Sequence, residues 1–136
     1  MMEICGLNFP EENFYRHLEK RIRYSHISSK QEYIKKIKDT LKNANKFYLL
    51  RELSDCKDKI VFFNPQNNWT VLVLLEEKRI LTCFLLDEAE DIISYYKNKD
   101  YDLYLRNDCL KGSLREVNKN GNSEYSRFIK EIQDRC

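Results

Sequence analysis

The chain holds two histidines, His17 and His26, and five cysteines, Cys5, Cys56, Cys83, Cys109 and Cys136. Histidine has an ordinary pKa of about 6.5, so it can both take and give a proton near neutral pH. His26 stands in the stretch RYSHI, three residues after Arg23, in a predicted turn beside a basic helix. A reactive side chain is well placed there; the alternative is a packing histidine tied to a backbone carbonyl. His17 directly precedes Leu18 inside a helical pattern, and a half-exposed structural role is the expectation for it. Arg23 and Lys59 are the candidate phosphate-binding cations, and Tyr95 is a candidate surface for stacking on a base.

Other chemistries have less support. The cysteines are odd in number, widely scattered and without a CxxC, so free thiols in a reducing compartment are expected rather than a disulfide framework. Cys83 lies in an apolar run, where a thiol behaves as a small hydrophobe rather than a nucleophile. Neither histidine has metal-ligand spacing to a cysteine, so no metal or other cofactor is expected. The chain has no Walker loop, no HExxH and no GxGxxG. An RNP-like aromatic pair and a GxxG loop are missing too, which speaks against a conventional RNA-binding module.

These residues need elements to hold them. The 136 residues form one expected domain, 1–136, with a hydrophobic fraction of 42% and a charged fraction of 34%. Nine tyrosines and seven phenylalanines against three glycines argue for a packed core. No segment stays apolar for the about 18 residues of a membrane span, and the start lacks the pattern of a secretory signal. A cytoplasmic protein with no membrane partner is the expectation.

EENFYRHLEKRIRY spaces Phe14, Leu18 and Arg21/Ile22 as a helix face after Pro10. SSKQEYIKKIKDTLKNANKF predicts a second helix, with Ser29 and Glu32 as a capping box and Tyr33, Ile34, Ile37 and Leu41 on one face. KIVFF, WTVLVLL and RILTCFLL predict three strands joined by short turns, an antiparallel meander covered on both faces in its centre. Within the third, strict alternation puts Thr82 on the face of Ile80 and Phe84, where its methyl group packs well in a strand. Asp87 with Glu90 opens a short predicted helix, YDLYLR is a possible further strand, KGSLREVNKNGNS a loop and YSRFIKEIQ a final helix. The predicted fold is α+β, with N-terminal helices packed on a small three- to four-stranded antiparallel sheet and further short C-terminal helices.

Charge is uneven along this layout. Residues 11–46 carry ten Lys/Arg against five Asp/Glu, and residues 76–105 carry four against eight. The first stretch suits a phosphate backbone and the second a basic partner; a solvated helix face accounts for the first equally well.

Arg23 and His26 in RYSHI, the helix end KIKDTLKNANKF, the turn FFNPQNN and RILTCF with Thr82 together resemble a nuclease group over residues 20–87. The group unites barnase, EndoU, the colicin D and E5 nuclease domains and RelE toxins, and the likeness is to its small phage and polymorphic-toxin ribonucleases. The resemblance implies a metal-independent endoribonuclease of toxin type, acting on tRNA or another structured RNA. It makes His26 the active-site histidine and Thr82 a hydroxyl that binds or orients phosphate. It also implies an immunity or antitoxin protein as partner. EEKR departs from the group, which often has glycine before the threonine strand. The competing expectation is a non-enzymatic phage or immunity-type protein that works through protein contacts, with the acidic stretch 87–102 as its surface.

Overall fold

The computed structural model describes residues 2–52, 55–87, 91–99 and 113–136. It opens with a hairpin of two short strands, β1 (Met2–Ile4) and β2 (Leu7–Phe9). Two helices follow, α1 (Glu11–Arg23) and α2 (Lys30–Asn43). Four strands come next, β3 (Lys46–Arg51), β4 (Asp58–Asn64), β5 (Trp69–Leu74) and β6 (Arg79–Leu85). Helix α3 (Ile92–Lys99), strand β7 (Ser113–Val117) and helix α4 (Glu124–Arg135) complete the order.

The α+β class and the β4–β5–β6 meander agree with the sequence pattern, but the expected three- to four-stranded antiparallel sheet is corrected. Among the described residues the sheet has seven strands in the order β1-β2-β6-β5-β4-β3-β7 and is mixed, because β2 meets β6 in parallel at the single pair Asn8↔Arg79. The extra strands were hard to read for physical reasons. β1 and β2 are three residues each, too short for a periodic signal. β3 follows directly on α2, which ends at Asn43 as the NAN at 43–45 suggests, and β7 lies inside a polar stretch that reads as loop. The possible strand at 101–106 and the Asp87–Glu90 cap both involve residues outside those described.

Two apolar clusters cover the two faces of the sheet. On one, Phe14 and Leu18 of α1, Tyr33, Ile37 and Leu41 of α2 and Phe128, Ile129 and Ile132 of α4 pack with Phe62, Val71, Val73, Ile80 and Cys83. On the other, Ile92 and Tyr96 of α3 pack with Tyr48, Val61, Phe63, Leu72 and Phe84. Every residue of β5 is buried, which is why these strands show continuous apolar runs instead of alternation.

Cysteine use also differs from expectation. Cys5 and Cys136 form a disulfide across a sequence separation of 131, tying the turn of the first hairpin to the end of α4. Cys83 is a buried free thiol. The scattered spacing hid this pair because only the fold brings the two ends together. Free thiols therefore no longer argue for a reducing compartment. No described helix is long and apolar enough to cross a membrane.

Candidate active site

The site begins at the open edge of β6. Because β2 pairs with β6 only at Arg79, the stretch from Leu81 to Leu85 has a strand neighbour, β5, on one side only among the described residues. Exposed strand edges are commonly covered by another element, and α1 packs along this one. A β-bulge sharpens the geometry. Leu72 pairs with Thr82 and the next residue, Val73, pairs with Ile80, so Leu81 is the extra residue. The bulge breaks the two-residue period, and Thr82 does not share the face of Ile80 as strict alternation predicts. Ile80 and Cys83 belong to the cluster under α1, α2 and α4, while Leu81 and Phe84 belong to the opposite one. Thr82 pairs with Leu72 of that opposite cluster, and at the open edge of β6 its Oγ1 lies 3.3 Å from Nδ1 of His17 on α1.

Helix α1 carries the other half. Its first turn holds Glu11 and Glu12 and its last holds Lys20, Arg21 and Arg23, which complements the helix dipole. Its buried residues are Phe14, Leu18 and Arg21, whereas Ile22 is exposed. An arginine thus occupies the inward position that the pattern left open between Arg21 and Ile22. The helix ends in a Schellman motif, with Ser25 at a φ of 62°. Ser25 N–H donates to the Ile22 carbonyl at 2.9 Å and His26 N–H to the Arg21 carbonyl at 3.0 Å. This turn fixes where His26 leaves the helix. Ser29 then caps α2 by accepting from the Glu32 N–H at 3.1 Å, while Glu32 accepts from Ser28 instead of closing the expected box on Ser29.

The result is a cleft of two lobes that share Arg21, Tyr24, Leu85, Leu86 and Asp87. The smaller lobe, about 370 Å³, is lined also by His17, Lys20, Thr82 and Tyr95. The larger, about 740 Å³, is lined also by His26, Asn67, Asn68 and Trp69. Tyr95 stacks on Phe84 with ring centroids 5.2 Å apart, which holds it at the smaller lobe.

Arg21 dominates the electrostatics. It is 9% exposed, its Nε has no hydrogen-bond partner, and among the described residues no salt bridge joins it to a carboxylate. The titratable groups that feel its charge from within the core are the Tyr33 phenol and the Cys83 thiol. Burial pushes the pKa of each well up, so both are neutral and cannot balance the cation. The Tyr33 hydroxyl donates to the Cys83 carbonyl at 2.8 Å and its oxygen accepts from Arg21, a neutral partner that leaves the charge unbalanced. Buried charges are ordinarily paired, and an anion entering the cleft supplies the missing partner. His26 repeats the pattern, since its Nδ1 is buried without a partner.

His17 is the second perturbed group. Burial first, then the charges of Arg16, Arg21 and Lys20, lower its pKa from 6.5 to about 4, against a raising hydrogen bond to the Leu81 backbone. The ring is therefore neutral above about pH 4 and free to accept a proton. The same shift makes a stability prediction. Between pH 6.5 and 4 the unfolded chain binds a proton at this residue that the folded chain refuses, so stability falls as pH drops through that window. His17→Gln is expected to flatten this slope in urea titrations at pH 4.5, 5.5 and 7; an unchanged slope would place the histidine's titration elsewhere.

The sequence candidates divide. His26, Thr82 and Tyr95 all line the cleft. Arg23 and Lys59 do not. Arg23 lies on the exposed face of α1, paired with Glu19 at 3.1 Å. Lys59 is 4% exposed and held between Glu52 at 2.9 Å and Asp55 at 2.8 Å. Burial opposes its charge, but the bonds to Asp55 and Glu52 outweigh burial and raise its pKa. The cleft takes Arg21 and Lys20 as its cations instead, and His17 joins it. These were legible as a stripe: His17, Lys20, Arg21 and Tyr24 stand at i, i+3, i+4 and i+7 of one helix. No cluster of three or more metal-binding side chains occurs among the described residues.

Residues 3–102 match the family model described as "Uncharacterised protein aq_aa01", and the chain belongs to that family. The matched span contains every cleft-lining residue named above. No curated protein and no solved structure matches the chain.

Proposed function

We propose that the chain is a metal-independent endoribonuclease of toxin type, acting on tRNA or another structured RNA from the cleft between α1 and β6. The observation that carries this reading is Arg21, a buried arginine without a carboxylate partner, lying between two histidine-bearing lobes. A phosphodiester seated on Arg21 has His17 on one side and His26 on the other. His17 takes the proton of the ribose 2′-hydroxyl, whose oxygen attacks phosphorus. The bond to the 5′-oxygen breaks, and His26 donates a proton to that leaving oxygen. The products are a 2′,3′-cyclic phosphate and a 5′-hydroxyl. Arg21 and Lys20 stabilise the charge gathering on the phosphorane, and the Thr82 hydroxyl holds the His17 ring through their shared hydrogen bond.

The low pKa of His17 limits it as a base in the free protein, because proton transfer is best when the pKa lies near the working pH. Burial, the largest cause, stays, but the negative charge of bound phosphate offsets the Arg21 and Lys20 charges and moves the pKa upward. The basic stretch 11–46 draws RNA to the cleft, and an immunity or antitoxin partner would shield it.

The test is cleavage of total cellular RNA by purified protein in EDTA. Wild type is expected to produce discrete fragments. His17→Ala and His26→Ala are each expected to lower the rate by about 10²-fold, at the low end for an acid or base. Intact RNA from folded wild type would favour instead a protein that acts through protein contacts. Undiminished cleavage by His17→Ala would remove the cleft from the chemistry.

A further inference from the structure

The two lobes differ in size and furnishing, and Arg21 stands where they join. We infer that the larger lobe is a nucleoside-binding subsite, which takes the nucleoside on the 5′-oxygen side of the scissile phosphate and holds its base against Tyr24 and His26, beside the buried Trp69. The inference rests on the endoribonuclease reading for its polarity and on the geometry of the lobe for its ligand.

Three observations carry it. First, the lobe's volume of about 740 Å³ lies within the range of pockets that take small organic ligands, and Tyr24, His26 and the buried Trp69 line it together with Leu85 and Leu86. The Tyr24 and His26 rings lie 5.9 Å apart at an angle of 39°, and the His26 ring meets Trp69 edge-on at 6.4 Å. Aromatic and imidazole faces of this kind are where unstacked bases are received. Second, the floor is stiff. Asn64 closes its turn by accepting from Asn68 N–H at 2.8 Å, and Asn67 Oδ1 accepts from Trp69 N–H at 3.0 Å. The group Asn67 has left to offer a base is its amide N–H pair. Third, two of the buried polar atoms that lack partners among the described residues, Arg21 Nε and His26 Nδ1, belong to residues of this lobe, so a ligand here would carry both an anion and a polar group. A nucleotide has both.

Polarity follows from the mechanism. With His26 protonating the 5′-oxygen, the nucleoside attached to that oxygen occupies the lobe that His26 lines. A ribonucleoside 5′-monophosphate therefore reproduces the bound half of the substrate, with its phosphate on Arg21.

Trp69 is the chain's single tryptophan, which makes its fluorescence a direct reporter. The experiment titrates the wild-type protein with the four ribonucleoside 5′-monophosphates, their 3′-monophosphates and inorganic phosphate. The expected result is a saturable change with at least one 5′-monophosphate, at least tenfold tighter than with its 3′ isomer. Arg21→Gln should weaken that binding by at least tenfold. Tyr24→Ala, at a residue 55% exposed and so tolerant of change, should weaken the nucleotide several-fold and leave inorganic phosphate unaltered. No saturable response, equal binding of the two isomers, or an unaffected Tyr24→Ala would overturn the subsite. Cleavage without nucleotide binding sinks the subsite alone. Nucleotide binding without cleavage keeps the subsite's ligand and sinks the endoribonuclease reading.

Discussion

Arg21→Gln is expected to lower RNA cleavage by about 10³-fold, the upper range for removing a positioned charge from a developing oxyanion. Glutamine keeps polar atoms and much of the length, so the change isolates charge. In the wild-type cleft the guanidinium is desolvated and unpaired by any carboxylate among the described residues, so its field is spent on whatever anion enters. The same substitution removes a buried, unneutralised cation, which is costly to keep in a folded chain. Stability is therefore expected to hold or rise while activity falls. That opposition separates a functional charge from a structural one, since an arginine kept for packing would lose both together. Single-turnover cleavage and urea denaturation of the two proteins check it. A tenfold or smaller loss of rate, or a matching loss of stability, would return Arg21 to a structural role.

Cys136→Ser is expected to cost about 3–5 kcal/mol of stability. The disulfide closes a loop spanning 131 residues of separation, close to the largest this chain can make, and the entropy removed from the unfolded state grows with loop length. At this chain length the loss corresponds to roughly 10–17 °C in Tm. Reducing agent should lower the wild-type Tm by the same amount and leave the variant unmoved. A wild-type Tm indifferent to reduction would mean that Cys5 and Cys136 are not joined. The cleft lies away from this bond, so reduced protein at 25 °C should still cleave.

How far the sequence could be read depended on whether a feature was local. The meander was legible because β4, β5 and β6 are long apolar runs with short turns between them. The two N-terminal helices were legible from their periodicity, and the Ser29 cap from its residue type. β1 and β2 are fixed by pairing with each other and by the edge of β6, partners far away in sequence. β7 is held by a five-residue ladder to β3, which no local pattern announces. The site shows the same division. Thr82, His26 and Tyr95 were visible as types in suggestive places. That Thr82 shares the face of Leu72 and not that of Ile80 depends on a bulge at Leu81, which cannot be seen in alternation, and its meeting with His17 depends on α1 packing along β6. Arg23 drew attention as the cation near His26 in sequence, but on a helix the residues that share a face with His17 are Lys20, Arg21 and Tyr24. The pattern left Arg21 and Ile22 as alternatives for the inward position, and only packing decides that Arg21 is buried and Ile22 exposed.

Cleavage of RNA in the cleft around Arg21 by attack of the 2′-oxygen, the function proposed above, fixes the chemistry of the products. The most direct measurement is the chemistry of the ends released from a defined RNA in EDTA. A 2′,3′-cyclic phosphate on one fragment and a 5′-hydroxyl on the other, with no cutting where the upstream ribose is 2′-deoxy, is the predicted result. A 5′-phosphate on the downstream fragment, or cutting that persists at the 2′-deoxy position, would contradict it.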